Sequence, residues 1–414
     1  MNQKTLPGLE SRYAWTIVVI SSVLMGMGAG ALISISVFLK PVIAEFGWLR
    51  AQTAFAYTAG AIAMGIGGIV MGYLSDRYTT RRIALTGIVF LGVSLLLLGT
   101  QTSLWQFYLF YCLMGGFGVA ALDAPLLANV GMWFERNKGL AIGVATAGRS
   151  LGQGLVPFLG GLLIAAHGWR NAYLILGVLS LVILAPLAWW VRSPPGLEDA
   201  KVAARAASAS AQGDTFPIKP RVAVAWISVA AVFCCVCMGT PMVHSVALAR
   251  DVGIDEKSAA GVILLIYVSG FFGRIFFGKI ADHIGGIRAY LTASFIQTVF
   301  VFWFTQLDSL MSFYVLAVLF GFGMSGVMTC LIVSVREMTP VYMRGIATGT
   351  MFLAGWIGMG LGGYQGGYFF DLSGAYVIPY ANAAGAGLVN LTIVASLLFY
   401  VTKRKAELTR MQAA

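Results

Sequence analysis

The chain has 414 residues, of which 59% are hydrophobic and 10% charged, and its formal net charge is +11. Soluble domains carry about 25% charged residues, so the composition excludes a soluble globular protein and predicts an all-α integral membrane protein. The Lys and Arg residues are scattered over short loops, so the positive charge needs no nucleic-acid partner and fits a lipid bilayer surface.

Uncharged apolar runs recur along the whole chain, each about long enough to cross a hydrocarbon core of about 30 Å as a helix. We therefore predict twelve transmembrane helices. Their approximate positions are 13–39, 51–75, 83–100, 104–130, 139–165, 172–191, 223–249, 258–280, 289–307, 309–335, 346–370 and 377–402.

The distribution of positive charge predicts the orientation of these helices. Most of the 27 Lys and Arg lie at the termini and in the loops on the same side of the predicted bundle. The loops on the other side hold Lys40, Arg50, Arg170, Arg250 and Lys257. Because positive residues are enriched in cytoplasmic loops, we predict cytoplasmic termini in a multi-pass protein of the inner (plasma) membrane.

The longest polar segment, SPPGLEDAKVAARAASASAQGDTFPIKPR, separates six predicted helices from six others. It is rich in Ala, Ser, Pro and charged residues, a composition typical of a linker. We predict an N-terminal half at 1–192, a cytoplasmic linker at 193–222 and a C-terminal half at 223–414.

Two sequence patterns occur in both halves at the same offset. GYLSDRYTTRR, which begins at Gly72, matches GKIADHIGGIR, which begins at Gly278, and KGLAIG from Lys138 matches RGIATG from Arg344. Two patterns in the same order indicate duplication of a six-helix unit. Transporters built from such parallel repeats bind substrate near the membrane midplane, between the halves.

The first pattern resembles G-x-x-x-D-x-x-G-R-R, a signature of the major facilitator superfamily, with Thr80 in place of the usual glycine. The resemblance implies the major facilitator fold. Acids in such a loop can pair with basic residues or with helix N-termini, in contacts that break when that side opens. We predict a cytoplasmic gate, with a solvated turn as the alternative. Its residues are Gly72, Asp76, Arg81, Arg82, Gly278, Asp282 and Arg288.

Three ionisable charges lie well inside predicted helices: Asp123, Arg149 and Arg274. A charge at the bilayer centre costs roughly 2.5–3.5 kcal/mol on insertion scales, so such residues are candidates for function. Arg274 lies eight residues before Asp282, about 12 Å inside the turn at 1.5 Å per residue. A guanidinium there suits a substrate carboxylate, to which it can donate two parallel hydrogen bonds.

Asp123 and Arg149 each lie 11 residues from the ends of the loop that joins their helices, so they should have similar depth. At about 4 Å and an effective dielectric near 20, their attraction would be about 4 kcal/mol, which makes a fixed salt bridge one interpretation. In the other, Asp123 faces the cavity and binds a proton. Protonation would raise the charge of the cluster and favour an anion, and a monoanion would then cross with a proton without net charge.

Several segments resemble the monocarboxylate and oxalate:formate transporter branch of the superfamily. They are VFLKPVIAEFGWLRAQTAFAY (37–57), WFERNKGLAIGVATAGRSLGQGLVPFLGG (133–161), PMVHSVALARDVGI (241–254) and GFFGRIFFGKIADHIG (270–285). The resemblance implies that Arg274, in a matching G-R-x-x-x-G pattern, binds a substrate carboxylate.

The chain also departs from this branch. Ile33 and Gly270 stand where animal monocarboxylate carriers have a lysine and an aspartate involved in proton coupling. Helix 11 has no charge, whereas the oxalate:formate antiporter has a lysine there. If protons are used, another group must bind them, and we assign this role to Asp123.

Further candidates for the substrate site are Arg149, His244, Tyr267 and Trp356. His244 would donate to the substrate or carry the proton, or it is a packed, hydrogen-bonded histidine. Aromatic residues on membrane helices often serve packing alone. No phosphate-binding loop, metal-ligand spacing or nucleophile with an adjacent base is apparent, so we predict neither an enzyme nor a cofactor.

Together these features predict a secondary transporter that carries a small organic anion by alternating access and works as a monomer. Proton-coupled symport of a monocarboxylate such as lactate or pyruvate is the first hypothesis. One alternative is pH-independent exchange of carboxylates. A non-transporting membrane sensor is an alternative of another class, although the tails and linker are short for a soluble sensor domain.

Overall fold

The computed structural model describes residues 11–134, 138–193, 216–340 and 343–413. Most of the predicted linker, 193–222, lies outside the described residues. The helices are α1 Arg12–Ile33, α2 Ile35–Phe46, α3 Arg50–Arg77, α4 Thr80–Thr100, α5 Leu104–Leu113, a π-helical segment Met114–Val119, α6 Ala120–Met132, α7 Lys138–Trp189, α8 Pro220–Asp251, α9 Glu256–Ile284, α10 Gly286–Val301, a 3-10 segment Phe302–Gln306, α11 Leu310–Met338, α12 Arg344–Ser373 and α13 Val377–Ala413.

Eleven helical stretches in the described residues are long and apolar enough to cross a membrane. Helices are suited to the lipid bilayer because they satisfy their own backbone hydrogen bonds. Side-chain caps satisfy the first free N–H groups of several helices. For example, Ser11 accepts from Ala14 N and Asp255 accepts from Ser258 N.

The longest helix, α7, has 52 residues and would extend about 78 Å if straight, more than twice the hydrocarbon thickness. It is interrupted at Gly168, whose φ of 77° and ψ of 162° are not helical. A Cβ on Gly160 would lie 3.9 Å from Leu176, so the chain folds back at Gly168. The break lies at the predicted boundary between helices 5 and 6 and is consistent with twelve spans.

Small residues allow neighbouring helices to approach closely, as is common in membrane proteins. A Cβ on Gly30 of α1 would lie 2.3 Å from the carbonyl oxygen of Gly152 on α7, and one on Gly152 would lie 2.3 Å from Gly26. Helix α1 therefore contacts α7 at backbone distance, and larger residues there would separate the two helices.

Helices α1–α7 form one half and α8–α13 the other, and the two halves meet where α3 packs on α12, α7 on α9 and α2 on α8. The end of the bundle where α1 begins and α6 and α7 end is called the terminal end. There Trp133, directly after α6, donates from its ring N–H to the carbonyl of Arg192 at 3.1 Å. The other end, which carries Arg50, Asp251 and Asp371, is called the latch end.

The halves are in close contact toward the latch end and apart toward the terminal end. A Cβ on Gly161 of α7 would lie 2.6 Å from Ala260 of α9, and one on Gly367 of α12 would lie 2.6 Å from Ala51 N of α3. Toward the terminal end, a Cβ on Gly72, Gly143 or Gly349 would meet nothing within 4 Å among the described residues. The closest described contacts between the halves thus lie toward the latch end, and these three glycines meet no described neighbour toward the terminal end.

Candidate functional site

Asp123 lies near the start of α6, in an irregular part of the helix. The six-residue π-helical segment Met114–Val119 immediately precedes α6, and such segments shift the register of the following side chains and occur frequently at functional sites. Pro125, inside α6, has no N–H to donate to the preceding turn. Asp123 lies between these two features.

The first charge pair joins α6 to α7 within the N-terminal half. Arg149 Nε lies 2.9 Å from Asp123 Oδ1, with the side chains 13% and 26% exposed respectively. This ion pair does not have the geometry of a hydrogen bond. Nε and Nη2 of Arg149 are both buried and have no hydrogen-bond partner among the described residues. The predicted equality of depth is confirmed by this contact, and donor capacity remains on the guanidinium.

Arg274 faces this pair from the C-terminal half. Its Nη1 donates to the carbonyl of Thr146 on α7 at 3.3 Å, while its Nε is buried with no hydrogen-bond partner among the described residues. Arg149 and Asp123 both act on it electrostatically. The structure therefore brings together the three charges selected from sequence, two cations and one anion, at the interface between the halves.

Two of the predicted aromatic residues border the charged cluster. The ring of Trp356 on α12 lies 5.8 Å from Arg149 Cζ, within the range of a cation–π contact. Tyr267 on α9 is 1% exposed, and a Cβ on Gly154 of α7 would lie 3.1 Å from its Cβ. Both residues belong to the C-terminal half, so Arg149 of the N-terminal half lies at the interface between the halves.

His244 is not part of this cluster. It is fully buried, and its Nδ1 lies 3.0 Å from the Tyr376 hydroxyl and its Nε2 2.8 Å from the Gly363 carbonyl oxygen. Its charged neighbours are Arg50 and Asp251, which lie at the latch end. Both ring nitrogens of His244 therefore have partners within the C-terminal half, as the packed, hydrogen-bonded interpretation expects.

The predicted cytoplasmic gate residues lie toward the terminal end, and those whose side chains the structure describes make no hydrogen bond or ion pair with the opposite half. The side chain of Asp76 lies outside the described residues. Arg81 donates from Nε to the carbonyl of Val191 at 3.1 Å, within its own half. The exposed gate side chains that make no ion pair with another described residue are Arg82, Asp282 and Arg288. A Cβ on Gly278 would meet only Thr329 of the same half, at 3.7 Å.

An ionic cluster at the latch end joins the two halves and was not predicted from sequence. Arg50, at the start of α3, donates to Asp251 at 2.7 and 3.1 Å and to the Tyr376 hydroxyl at 2.7 Å. Lys40 lies 2.6 Å from the same carboxylate. The guanidinium of Arg50 also lies 3.6 Å above the ring of Phe370.

Asp371, near the end of α12, completes this latch. Its carboxylate accepts from Arg50 N at 3.0 Å and Ala51 N at 2.7 Å, the first two residues of α3. A carboxylate at a helix N-terminus satisfies free N–H groups and interacts favourably with the helix dipole. A residue of the C-terminal half thus caps a helix of the N-terminal half. The sequence gives only a weak indication of this role: Asp371 is an acidic residue near a helix C-terminus, where the helix dipole disfavours a negative charge.

Among the described residues, no group of three or more His, Cys, Asp or Glu could hold a metal ion. Two helical halves with charged side chains where they meet are typical of membrane transporters built from repeats. The sequence matches the Major Facilitator Superfamily over residues 18–362 and 240–414. The chain belongs to this superfamily and is a transporter rather than an enzyme.

Individual relatives agree with this assignment. Monocarboxylate transporter 13 of Bos taurus is 27% identical over 397 residues, which cover 92% of this chain and 89% of the relative. The uncharacterized MFS-type transporter YcxA of Bacillus subtilis is 24% identical over 396 residues, covering 91% and 92%. A bacterial homologue of the human lysosomal transporter Spinster, in an inward-facing and occupied conformation, has a TM-score of 0.72 at 16% identity, over 95% of this chain and 98% of the other. This last similarity concerns the fold.

Proposed function

We propose that the protein is a proton-coupled symporter of a small monocarboxylate, which it binds between its halves. The observation that carries the proposal is the interfacial cluster of Arg274, Arg149 and Asp123. Nη2 of Arg149 and Nε of Arg274 have no hydrogen-bond partner among the described residues. Two cations and one anion leave a net positive charge beside a space open to one side of the bundle. An anion with a planar carboxylate matches the free donors of a guanidinium.

Competition for Arg149 is the coupling step of this mechanism. In the empty site the Asp123 carboxylate lies 2.9 Å from Arg149, so the guanidinium balances its charge. A substrate carboxylate that binds Arg149 and Arg274 takes the cation from Asp123, and the released acid then binds a proton. Substrate and proton therefore bind together, and the loaded site carries the same total charge as the empty one.

Rocking of the halves would then expose this site on the other side. The positive-inside pattern of the loops supports a cytoplasmic terminal end, so the structure corresponds to the inward-open state. Closure at the terminal end would engage the gate residues Asp76 and Asp282, and opening at the latch end would separate Arg50 from Asp251 and Asp371.

A second function, pH-independent exchange of carboxylates, is favoured by the ion pair itself. If Asp123 stays paired with Arg149 throughout the cycle, it neutralises one arginine permanently and no proton site remains. In that case net uptake needs an anion on the other side of the membrane.

Uptake of labelled lactate into proteoliposomes separates these two functions. Symport predicts that an inward proton gradient drives accumulation into vesicles that contain no carboxylate, and that Arg274→Ala abolishes it. Exchange predicts uptake only into vesicles preloaded with a carboxylate, at a rate independent of the pH gradient. Failure of the wild-type protein to transport any tested carboxylate in either mode would refute both.

A further inference from the structure

A cavity of about 540 Å³ lies beside the latch, between α3 and α5 of the N-terminal half and α12 of the C-terminal half. Its volume falls within the roughly 300–1,000 Å³ of typical ligand pockets. Ala51, one of the residues that line it, belongs to the close contact of α3 with α12, where a Cβ on Gly367 would lie 2.6 Å from Ala51 N. Both halves therefore contribute to the walls of the cavity.

Aromatic rings form much of this wall. The ring of Phe55 on α3 lies 5.1 Å from that of Tyr108 on α5 and 5.8 Å from that of Tyr364 on α12. Tyr364 stacks on Tyr368 at 6.1 Å. Leu372 follows at the same four-residue spacing, so these three residues lie on one face of α12. The wall thus runs across the interface between the halves.

The depth of the cavity in the bilayer follows from the length of its helices. Helix α3 has 28 residues and is about 42 Å long, close to the roughly 40–45 Å of a bilayer with its headgroups. Its first residues then lie at headgroup level. Phe55 lies about 7.5 Å deeper, where the hydrocarbon begins. The cavity extends over this boundary, and Leu372 at its edge is 67% exposed.

Polar groups of the cavity already have partners within the protein. The Asp371 carboxylate caps α3 as described above. The Tyr108 hydroxyl donates to the carbonyl of Gln52 at 2.9 Å, and Oε1 of Gln52 accepts from Leu49 N at 3.0 Å. Exposed tyrosine rings are common at membrane interfaces, where one end is apolar and the other is wet. This lining favours an apolar occupant that enters from the bilayer.

We propose that the cavity binds one acyl chain of a phospholipid from the leaflet at the latch end. An empty void forfeits the dispersion contacts of the side chains that line it. A flexible hydrocarbon chain that passes from headgroup level to the depth of Phe55 supplies these contacts and needs no polar partner. The chain contacts α3 and α12 together, and its binding does not depend on which solute the protein transports.

Photolabelling of the full-length protein tests the site. The protein is reconstituted in nanodiscs of palmitoyl-oleoyl phosphatidylcholine with a small share of a phosphatidylcholine that carries a diazirine near the carbonyl end of one acyl chain. Light converts the diazirine to a carbene, which inserts into nearby side chains, and mass spectrometry of peptides locates the adducts. No carboxylate substrate is added, so failure of the proposed transport function would not affect the result.

Val315 is the matched reference within the same molecule. It lies five residues after Leu310, the first residue of α11, as Phe55 lies five residues after Arg50, the first of α3. Both helices begin at the latch end, so the two side chains have similar depth. Val315 is 52% exposed and Phe55 38%. Exposure alone therefore predicts stronger labelling of Val315, whereas a chain held in the cavity predicts stronger labelling of Phe55.

We expect this excess at Phe55 in the wild type and its loss in Leu372→Trp, whose larger side chain fills the cavity. Leu361→Trp is the control variant and should keep the excess. Leu361 is exposed on the same face of α12, about three turns away, and does not line the cavity. Unchanged labelling of Val315 shows that a variant is folded in the bilayer.

Two results would overturn the proposal. One is weaker labelling of Phe55 than of Val315 in the wild type, which includes the case in which a second copy of the chain covers the cavity and shields Phe55. The other is an unchanged excess at Phe55 in Leu372→Trp, because the labelling chain would then lie outside the cavity.

Discussion

Removal of the Asp251 carboxylate should open the latch end of the protein. Asp251 accepts two hydrogen bonds from Arg50 and pairs with Lys40. Removing one partner of a buried ion pair costs about 3–5 kcal/mol, whereas an exposed pair contributes about 0–1 kcal/mol. The side chains of Arg50 and Asp251 are 13% and 28% exposed, so we take an intermediate value of about 2 kcal/mol. This energy multiplies the ratio of latch-open to latch-closed molecules by about 30.

The assay is a distance measurement between spin labels on Leu49 and Leu372, in a background without the five native cysteines. These exposed residues belong to opposite halves and line the same cavity of about 540 Å³ beside the latch. Asp251→Ala should raise the population at the longer distance. Glu45→Ala is the matched control, because Glu45 pairs with Arg170 at 2.7 Å inside the N-terminal half. Identical distance distributions in the wild type and Asp251→Ala would refute the latch.

Three further predictions use the same structure. Asp371→Ala should shift the equilibrium toward latch-open molecules by about 1 kcal/mol, the effect of losing a helix cap, and so raise the population at the longer label distance. An unchanged distance distribution would mean that the cap does not hold the halves together. Gly161→Val should slow transport and open the latch end, because the added side chain would separate α7 from α9. Gly143→Val should leave the label distances unchanged, because a Cβ there would have no described atom within 4 Å; equal distances in both variants would contradict the packing argument. Arg274→Lys should keep the charge but weaken lactate binding at least tenfold, because Lys lacks the planar fork, and wild-type affinity in a binding titration would exclude paired hydrogen bonds.

Much of the fold follows from hydropathy. Runs of apolar residues long enough to span the bilayer predicted the helices, and even the fold-back of α7 at Gly168 was visible as the interruption HGWRN between two apolar runs. The common depth of Asp123 and Arg149 followed from counting residues along two antiparallel helices. These predictions succeeded because helix rise is constant and a charge in a bilayer needs a partner.

Contacts between distant helices could not be predicted, because they depend on which helices face each other and no local sequence pattern records that. The contacts of Arg50 with Asp251 and Asp371 join residues 201 and 321 positions apart, so no spacing pattern marks them. His244 illustrates a signal that was present: it lies seven residues before Asp251, about 10 Å from that helix end, which already places it nearer to the latch.

Proton uptake during substrate binding tests the central claim most directly. Lactate, which is fully ionised near pH 7, is added to the purified protein in a weakly buffered solution, and the pH change is recorded beside the heat of binding. Release of Asp123 from Arg149 by the substrate predicts about one proton taken up per lactate bound, and none in Asp123→Asn, which should still bind lactate. Binding by the wild type without proton uptake, or equal uptake by Asp123→Asn, would contradict the account and return Asp123 to a structural partner of Arg149.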